Sequence, residues 1–378
     1  MDPKVSDKPK RGLRSGYSTG ACSAAAARAA MVGLVTGQVP ASIESLLPNQ
    51  TRVVFEVATH QQTEQYTEVV VIKDAGDDPD VTDKAQLTAR LRALPGQPGV
   101  IQIEGGEGVG TVTLPGLGLE IGRPAINPVP LEYISKNVLE VGGEWLKHQG
   151  VEVCISVPGG EKLAKRTLNG RLGIVGGISI LGTSGLVRAF STAAFRACVV
   201  QGVEVAASQG LDHVVLTTGG RTEKFMLKEL TGLPQACFVQ MGDFLGAAMD
   251  TAQKVGIHKV SIGAMVGKLT KIAQGERVTH ARRSKVNTEL LATIAIEVGA
   301  TEDIAQEIRQ SETARFAAER MGDVGLALPF YQALAEHTLN TLHTQYPDCF
   351  TLEVKVCDFE GNKVIELPLI EPPTTEKP

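Results

Sequence analysis

Three stretches of this chain carry residue types and spacings that could do chemistry. Asp74 to Asp83 holds five aspartates and no base. Clustered carboxylates raise one another's pKa and suit acid/base work, although Asp and Pro also build ordinary turns. Lys268 to Lys285 holds six cations against Glu276 alone. Such density suits an anionic ligand, because guanidinium groups grip carboxylates bidentately; the plainer reading is a solvated face. The third stretch, GYSTGACSAAAARAA from Gly16 to Ala30, sets the adjacent hydroxyls of Ser18 and Thr19, two glycines and a thiol against a run of alanines. Alanine is the best helix former, so Cys22–Val35 is expected to be helical. Ser18 or Thr19 is a natural N-cap, and the amide end of such a helix also favours anions. Cys22 reads as a small buried packing group.

Other motifs are excluded by spacing. Gly263-Ala264-Met265-Val266-Gly267-Lys268 has one residue too few between its glycines for a phosphate loop, and Leu269 stands where Ser or Thr should bind magnesium. Gly106 to Gly110 precedes a strand-like run, so it reads as a hairpin turn and not as a dinucleotide fingerprint. Thr218-Gly219-Gly220-Arg221-Thr222-Glu223 does sit between a predicted strand and a predicted helix. HExxH and GxSxG patterns are absent. The six cysteines, at 22, 154, 198, 237, 349 and 357, form no CxxC and no zinc spacing. They read as reduced, mostly buried thiols of a cytoplasmic protein, and no protein-bound metal is expected.

The elements that must position these residues fall into two patterns. Arg52–Ala58, Tyr66–Lys73, Val100–Glu104, Thr111–Leu114 and Val151–Val157 read as strands, with a helix over Pro130–Gln149. From Thr192 the pattern alternates. Helix Thr192–Gln209, strand His213–Thr217, a helix after Gly220, strand Ala236–Gln240, helix Asp243–Val255, strand Lys259–Ile262 and a helix from Gly267 follow one another. Further helices run to His343, and a hairpin turns at Glu360-Gly361-Asn362. The expected fold is α/β with two domains: an α+β domain with a mixed sheet over 12–190, and a parallel-sheet domain flanked by helices over 191–370. Residues 1–11 and 371–378 read as loose tails. With 37 Lys and Arg against 42 Asp and Glu, the net charge is −5, which argues against a nucleic-acid partner. No apolar run looks long enough to span a membrane. Ligands of parallel sheets bind at the carboxyl ends of the strands, here the loops Thr217–Arg221, Gln240–Asp243 and Gly263–Lys268.

Taken together, GYSTGACSAAAARAA, DAGDDPDVT, GEGVGTVTLPGLGL, AINPVP, ISVPGG through AKRTLNGRLGIVGGISILGTSGLV, and VGKLTKIAQG with THARRS resemble the CbiD family. Those proteins are cobalt-precorrin-5B C1-methyltransferases of anaerobic cobalamin biosynthesis. The chain departs from the family pattern at Asp83-Lys84 and Ala264-Met265. The resemblance implies S-adenosylmethionine as methyl donor and a cobalt corrinoid as acceptor, the cobalt being carried by the substrate, with cobalt-precorrin-6A as product. Under it, Ser18, Thr19, Gly20, Lys268, Lys271, Arg277, His280, Arg282 and Arg283 are expected to hold the substrate's carboxylates, with Lys165, Arg166 and Arg171 as further candidates. Asp77 or Asp78 would accept the proton lost from the ring. The strand-end rule places the donor at Thr218, Gly219, Gly220, Glu223 and Gly263, in the second domain, with the corrinoid on the first. A corrinoid carrier without a donor site and, less favoured, a nicotinamide-dependent reductase are the alternatives. A homo-oligomer stays open.

Overall fold

The computed structural model describes residues 13–280 and 284–371. The expected N-terminal tail, nearly all of the C-terminal one, and Ala281, Arg282 and Arg283 lie outside the described residues. The chain divides into two compact units, residues 1–193 and 194–378, each with its own apolar core.

The first unit begins β1 (Gly16–Tyr17), α1 (Thr19–Thr36), β2 (Ser42–Leu46), β3 (Arg52–Glu56), β4 (Thr59–Gln62), β5 (Thr67–Ile72) and β6 (Gln86–Leu94). It continues through β7 (Ile101–Gly105), β8 (Thr111–Val112), α2 (Pro128–Leu146), β9 (Gly150–Ser156), α3 (Gly160–Ala164), β10 (Ile174–Val175) and β11 (Leu186–Val187). Five strands form a mixed sheet ordered β4-β5-β6-β9-β7, antiparallel except for the β7–β9 pair.

Helix α1 starts three residues before the expected Cys22, because the Ser18 hydroxyl caps it by accepting from the Ala21 amide at 3.2 Å. Gly37, at φ +79°, closes it in the left-handed conformation. Its alanines are buried between α2 and strands β5 and β6. Only small side chains allow such approach on several sides: a Cβ on Gly142 of α2 would collide with Met31. Contrary to the expectation from sequence, Thr19–Thr36 is long and apolar enough to cross a membrane by length and composition. Its apolar surface is spent on the core instead.

The glycine turn at 105–110 is not a hairpin. β7 pairs with β9, whereas β8 pairs with β10 in a separate two-stranded sheet. Gly108, at φ +71°, is wedged against the Val157 carbonyl, and its own carbonyl accepts from the Ile178 amide at 2.9 Å. The run is a junction where three backbones touch.

The second unit contains α4 (Thr192–Ser208), which begins at the boundary, β12 (His213–Thr217), α5 (Gly220–Glu229), β13 (Phe238–Gln240), α6 (Leu245–Val255), β14 (Lys259–Ala264) and α7 (Val266–Ala273). Four helices follow, α8 (Thr288–Glu297), α9 (Glu302–Arg309), α10 (Ala314–Asp323) and α11 (Ala327–Gln345), and then the hairpin β15 (Thr351–Cys357) and β16 (Lys363–Ile370). The sheet order is β13-β12-β14-β15-β16, parallel but for β16. α5 packs one face with Val215, Phe238 and Cys357, and α6 to α11 share the larger core with Val214, Leu216 and Ile262. The architecture is thus α/β with a mixed sheet and a parallel one, as the sequence pattern implies. Because β12 leads to its left neighbour and β14 to its right, the order reverses between β12 and β14. Ligands of open parallel sheets bind at such a reversal, outside the carboxyl ends of the strands.

Candidate functional site

The carboxyl edge of the second sheet carries three of the predicted loops. After β12, the Thr222 hydroxyl accepts from the amides of Thr218 and Gly219, both at 3.0 Å, and donates to the Gly219 carbonyl at 2.8 Å. This fixes the start of α5. Glu223 follows in its first turn, where its carboxylate accepts from the Gln240 side chain at 3.1 Å. Space stays open beside Gly219 and also beside Gly267 in the first turn of α7: a Cβ at either would meet nothing within 4 Å. Gly263 is different. Met226 of α5 covers its Cα, so a side chain there would collide. Its expected place among the donor-binding residues therefore gives way to a packing role. The Thr217 hydroxyl lies buried without a partner beneath this edge.

The basic segment is tied to the same edge. The Lys268 ammonium contacts the Asp243 carboxylate and reaches the Thr279 carbonyl at 3.2 Å. Burial and the neighbouring Lys271 charge push the Lys268 ammonium down to about 8, still above neutral pH. Lys271 points inward: it is 7% exposed, burial lowers its pKa, and it donates to the Thr279 carbonyl at 3.2 Å. Arg277 bonds Asp250 at 2.5 Å and the Tyr346 hydroxyl at 3.0 Å. His280 accepts the Ser284 amide through its carbonyl. The expected outward clamp is thus, at Lys268, Lys271 and Arg277, a set of internal ties that join α7 and the segment after it to Asp243, Asp250 and Tyr346. Arg282 and Arg283 lie outside the described residues. Asp243, the partner that organises the cluster, carried no motif that would have singled it out.

Sequence reading also missed a buried polar row on the α5 face of the same sheet. The His213 ring meets the Ser261 hydroxyl at 2.8 Å, and Ser261 donates to Glu353 at 2.5 Å. Lys355 bridges Glu353 at 3.2 Å and Glu366 at 2.6 Å. Burial lowers the His213 pKa, with Glu353 opposing it. The row joins β12, β14, β15 and β16 and reads as a register lock. At the amino edge, a cavity of about 670 Å³ is lined by Asn340, His343, Asp348 and Ile370.

In the first unit, the start of α1 is closed by its own chain. Leu181 carbonyl takes the Gly20 amide at 3.0 Å, and the Thr19 hydroxyl donates to the carbonyls of Ser179 and Leu181 while accepting the Leu181 amide at 2.9 Å. Ser18 and Thr19 are each 3% exposed. The expected anion site at Ser18, Thr19 and Gly20 is therefore occupied by residues 179–182. Cys22 is fully buried and its thiol is pushed up to about 12 by burial, in keeping with a packing role.

The aspartate loop folds largely on itself. Arg14 pairs with Asp74 through both guanidinium nitrogens, Asp77 accepts the Arg14 amide at 2.6 Å, and Asp78 accepts the Phe190 amide at 3.0 Å. Asp80 pairs with the buried Lys73 at 2.7 Å, and Asp83 accepts the Ala75 amide at 2.9 Å. Asp77 is the exposed member of the Asp77, Asp78 pair. A cleft of about 250 Å³ opens between Ile103, Arg123, Ile126 and Leu131. Among the described residues, no group of three or more His, Cys, Asp or Glu is placed to hold a metal ion.

A mostly parallel sheet whose strand order reverses, with an acidic residue in the first turn after β12, is a frame that recurs among small-molecule enzymes. The chain belongs to the CbiD family. The CbiD family model matches residues 6–189, and that of the CbiD C-terminal domain matches residues 278–366. A protein of Methylococcus capsulatus is 59% identical over 361 residues, covering 96% of this chain and 95% of its own. One of Variovorax paradoxus is 60% identical over 95% of this chain and 98% of its own, and one of Salinispora arenicola 49% identical over 93% and 92%. All three are named cobalt-precorrin-5B C(1)-methyltransferase. A crystal structure of the cobalamin biosynthesis protein CbiD from Archaeoglobus fulgidus is 28% identical and covers 70% of this chain and 81% of its own, with a TM-score of 0.39.

Proposed function

We propose that the chain methylates cobalt-precorrin-5B at C1, with S-adenosylmethionine as donor and cobalt-precorrin-6A as product, in anaerobic cobalamin synthesis. The observation that carries this reading is identity near 59% across almost the full length of both chains with a relative of that name. S-adenosylmethionine, when bound, supplies a sulfonium methyl. Its proposed seat is the carboxyl edge at the reversal of strand order. There Gly219 leaves room against the backbone, and Thr218 and Gly220 flank it. Glu223, buried and bonded to Gln240, stands in the first turn of α5 beside this seat. The second unit is thus the donor side and the first the corrinoid side. Methyl transfer to an electron-rich ring carbon needs alignment and exclusion of water more than covalent help. The proton lost from the ring goes to Asp77, which is exposed and keeps one carboxylate oxygen outside its bond to Arg14. Six unbridged cysteines suit a reducing, cytoplasmic setting.

The test is an anaerobic assay with cobalt-precorrin-5B and methyl-labelled S-adenosylmethionine. One label per corrinoid, mapped to C1 by NMR, is expected. Corrinoid bound without label would favour the carrier. Asp77→Asn is expected to lower turnover roughly 100-fold if the residue acts as base, and unchanged turnover removes it from the mechanism.

A further inference from the structure

We propose that the loop Lys162–Arg171 of the first unit is the rim that reads the corrinoid's carboxylates, with Asn169 as the residue that positions it. The inference rests on the corrinoid reading above and gives it a location. Residues 161–171 hold Lys162, Lys165, Arg166 and Arg171 against Glu161. Lys162, Lys165 and Arg166 are exposed. Among the described residues, none of these three side chains makes an ion pair or hydrogen bond.

The backbone that carries them is tightly held. Arg166 amide meets the Leu163 carbonyl at 2.9 Å, and the Thr167 hydroxyl donates to the Ala164 carbonyl at 2.8 Å. Asn169 is 8% exposed. It donates to the Gly177 carbonyl at 3.1 Å, accepts the Ser179 hydroxyl at 3.3 Å, and its carbonyl takes the Ile174 amide at 2.8 Å. Ser179 is in turn held by Thr19 at 3.2 Å. The chain of bonds therefore runs from the capped start of α1, through the glycine-rich strand, to the cationic loop. The same segment exposes Leu168, Val175 and Leu181. A macrocycle with an apolar plane and acid groups at its edge needs this combination: apolar seats and cations on a backbone that does not move. A backbone already held in place lowers the cost of ordering the loop on binding, and charge-assisted bonds to carboxylate are the strong kind.

The test measures corrinoid binding by visible absorbance without methyl donor. It uses two probes, cobyrinic acid with free peripheral acids and cobinamide with those groups amidated. Wild type is expected to prefer the acid. The double variant Lys165→Gln, Arg166→Gln should weaken the acid roughly 30-fold, about tenfold or somewhat less per cation, and leave the amide unchanged, so that the preference collapses. Asn169→Ala should erode the preference in part. Affinity for S-adenosylmethionine, read by calorimetry, should stay constant in all of them. An intact preference in the double variant overturns the proposal, and so does an equal loss for both probes. Wild type that binds neither probe overturns the function reading as well. Wild type that binds the acid but does not methylate overturns the function alone, and the preference still decides the rim.

Discussion

The two basic segments of this chain differ in a way their composition hides. The stretch from Lys268 has the denser charge and stands beside a glycine turn at the carboxyl edge of a parallel sheet. The stretch from Lys162 is short and begins within the five-residue helix α3. Yet Lys268, Lys271 and Arg277 are all committed to partners in their own unit, whereas Lys162, Lys165 and Arg166 face water. The difference lies in what stands opposite. The β13 loop delivers Asp243 to Lys268, and α6 delivers Asp250 to Arg277. Among the described residues, no carboxylate pairs with Lys162, Lys165 or Arg166. Charge density in a sequence reports how many cations there are; the neighbours decide whether a ligand can reach them.

The largest way to break this contrast is to remove Asp243. Both members of its pair are less than a third exposed. Removing one partner of a buried pair costs about 3–5 kcal/mol, and partial exposure reduces this, so Asp243→Ala is expected to destabilise the protein by about 2 kcal/mol in urea unfolding. Adding Lys268→Met should recover more than half, because no ammonium is then left unpaired. A neutral Asp243→Ala would mean that the cluster is as loose as a surface patch. The Lys165→Gln, Arg166→Gln variant gives the opposite arm: no measurable shift in the unfolding midpoint, with all of its effect on binding.

Arg277 tests an intermediate case. It bonds Tyr346 and Asp250 and lies 5.7 Å from the Tyr346 ring centroid. Burial and Asp250 hold the Tyr346 phenol well above its ordinary range, so it keeps its proton. Because Arg277 and Asp250 are each more than 40% exposed, Arg277→Gln should cost about 0.5–1 kcal/mol, less than Asp243→Ala. A larger loss would place Arg277 among the ties that hold the unit together.

Much of this architecture was legible in the sequence. The alternating elements from Thr192 onward are strongly periodic and sit nearly where expected. β6 was not legible: QLTARLRAL is made largely of helix formers. It becomes a strand because Leu87, Ala89 and Leu91 alternate inward between β5 and β9, a tertiary choice that local propensity does not contain. The site divides in the same way. Thr218 to Glu223 was readable as a strand-to-helix turn from its glycine pair. The closure of the α1 start was not, since the carbonyl that takes the Gly20 amide comes from Leu181, far along the chain. Asp243 stands in the sequence only as the end of a strand-end loop; its pairing was not legible for a related reason, since it depends on the spatial neighbour Lys268.

The smallest effect belongs to Asp74, a paired charge at the surface. The Arg14 guanidinium, followed by the Gly76 amide, holds its carboxyl down at about 2, against an ordinary 3.8. A depressed carboxyl stabilises the fold at pH above its unfolded value, and that stability is lost as pH falls through about 2. Wild type should therefore lose stability more steeply between pH 4 and pH 2 than Asp74→Asn, which has no charge there to neutralise. The side chains of Arg14 and Asp74 are 58% and 37% exposed, so solvent screens the pair and the difference should shrink further in high salt. Urea midpoints of both proteins across that range measure it, with other carboxyls cancelling in the difference. Identical slopes would show that the pair exists without coupling to folding. Asp74 would then belong with Lys165 and Arg166, as a charge that the fold displays but does not use to hold itself together.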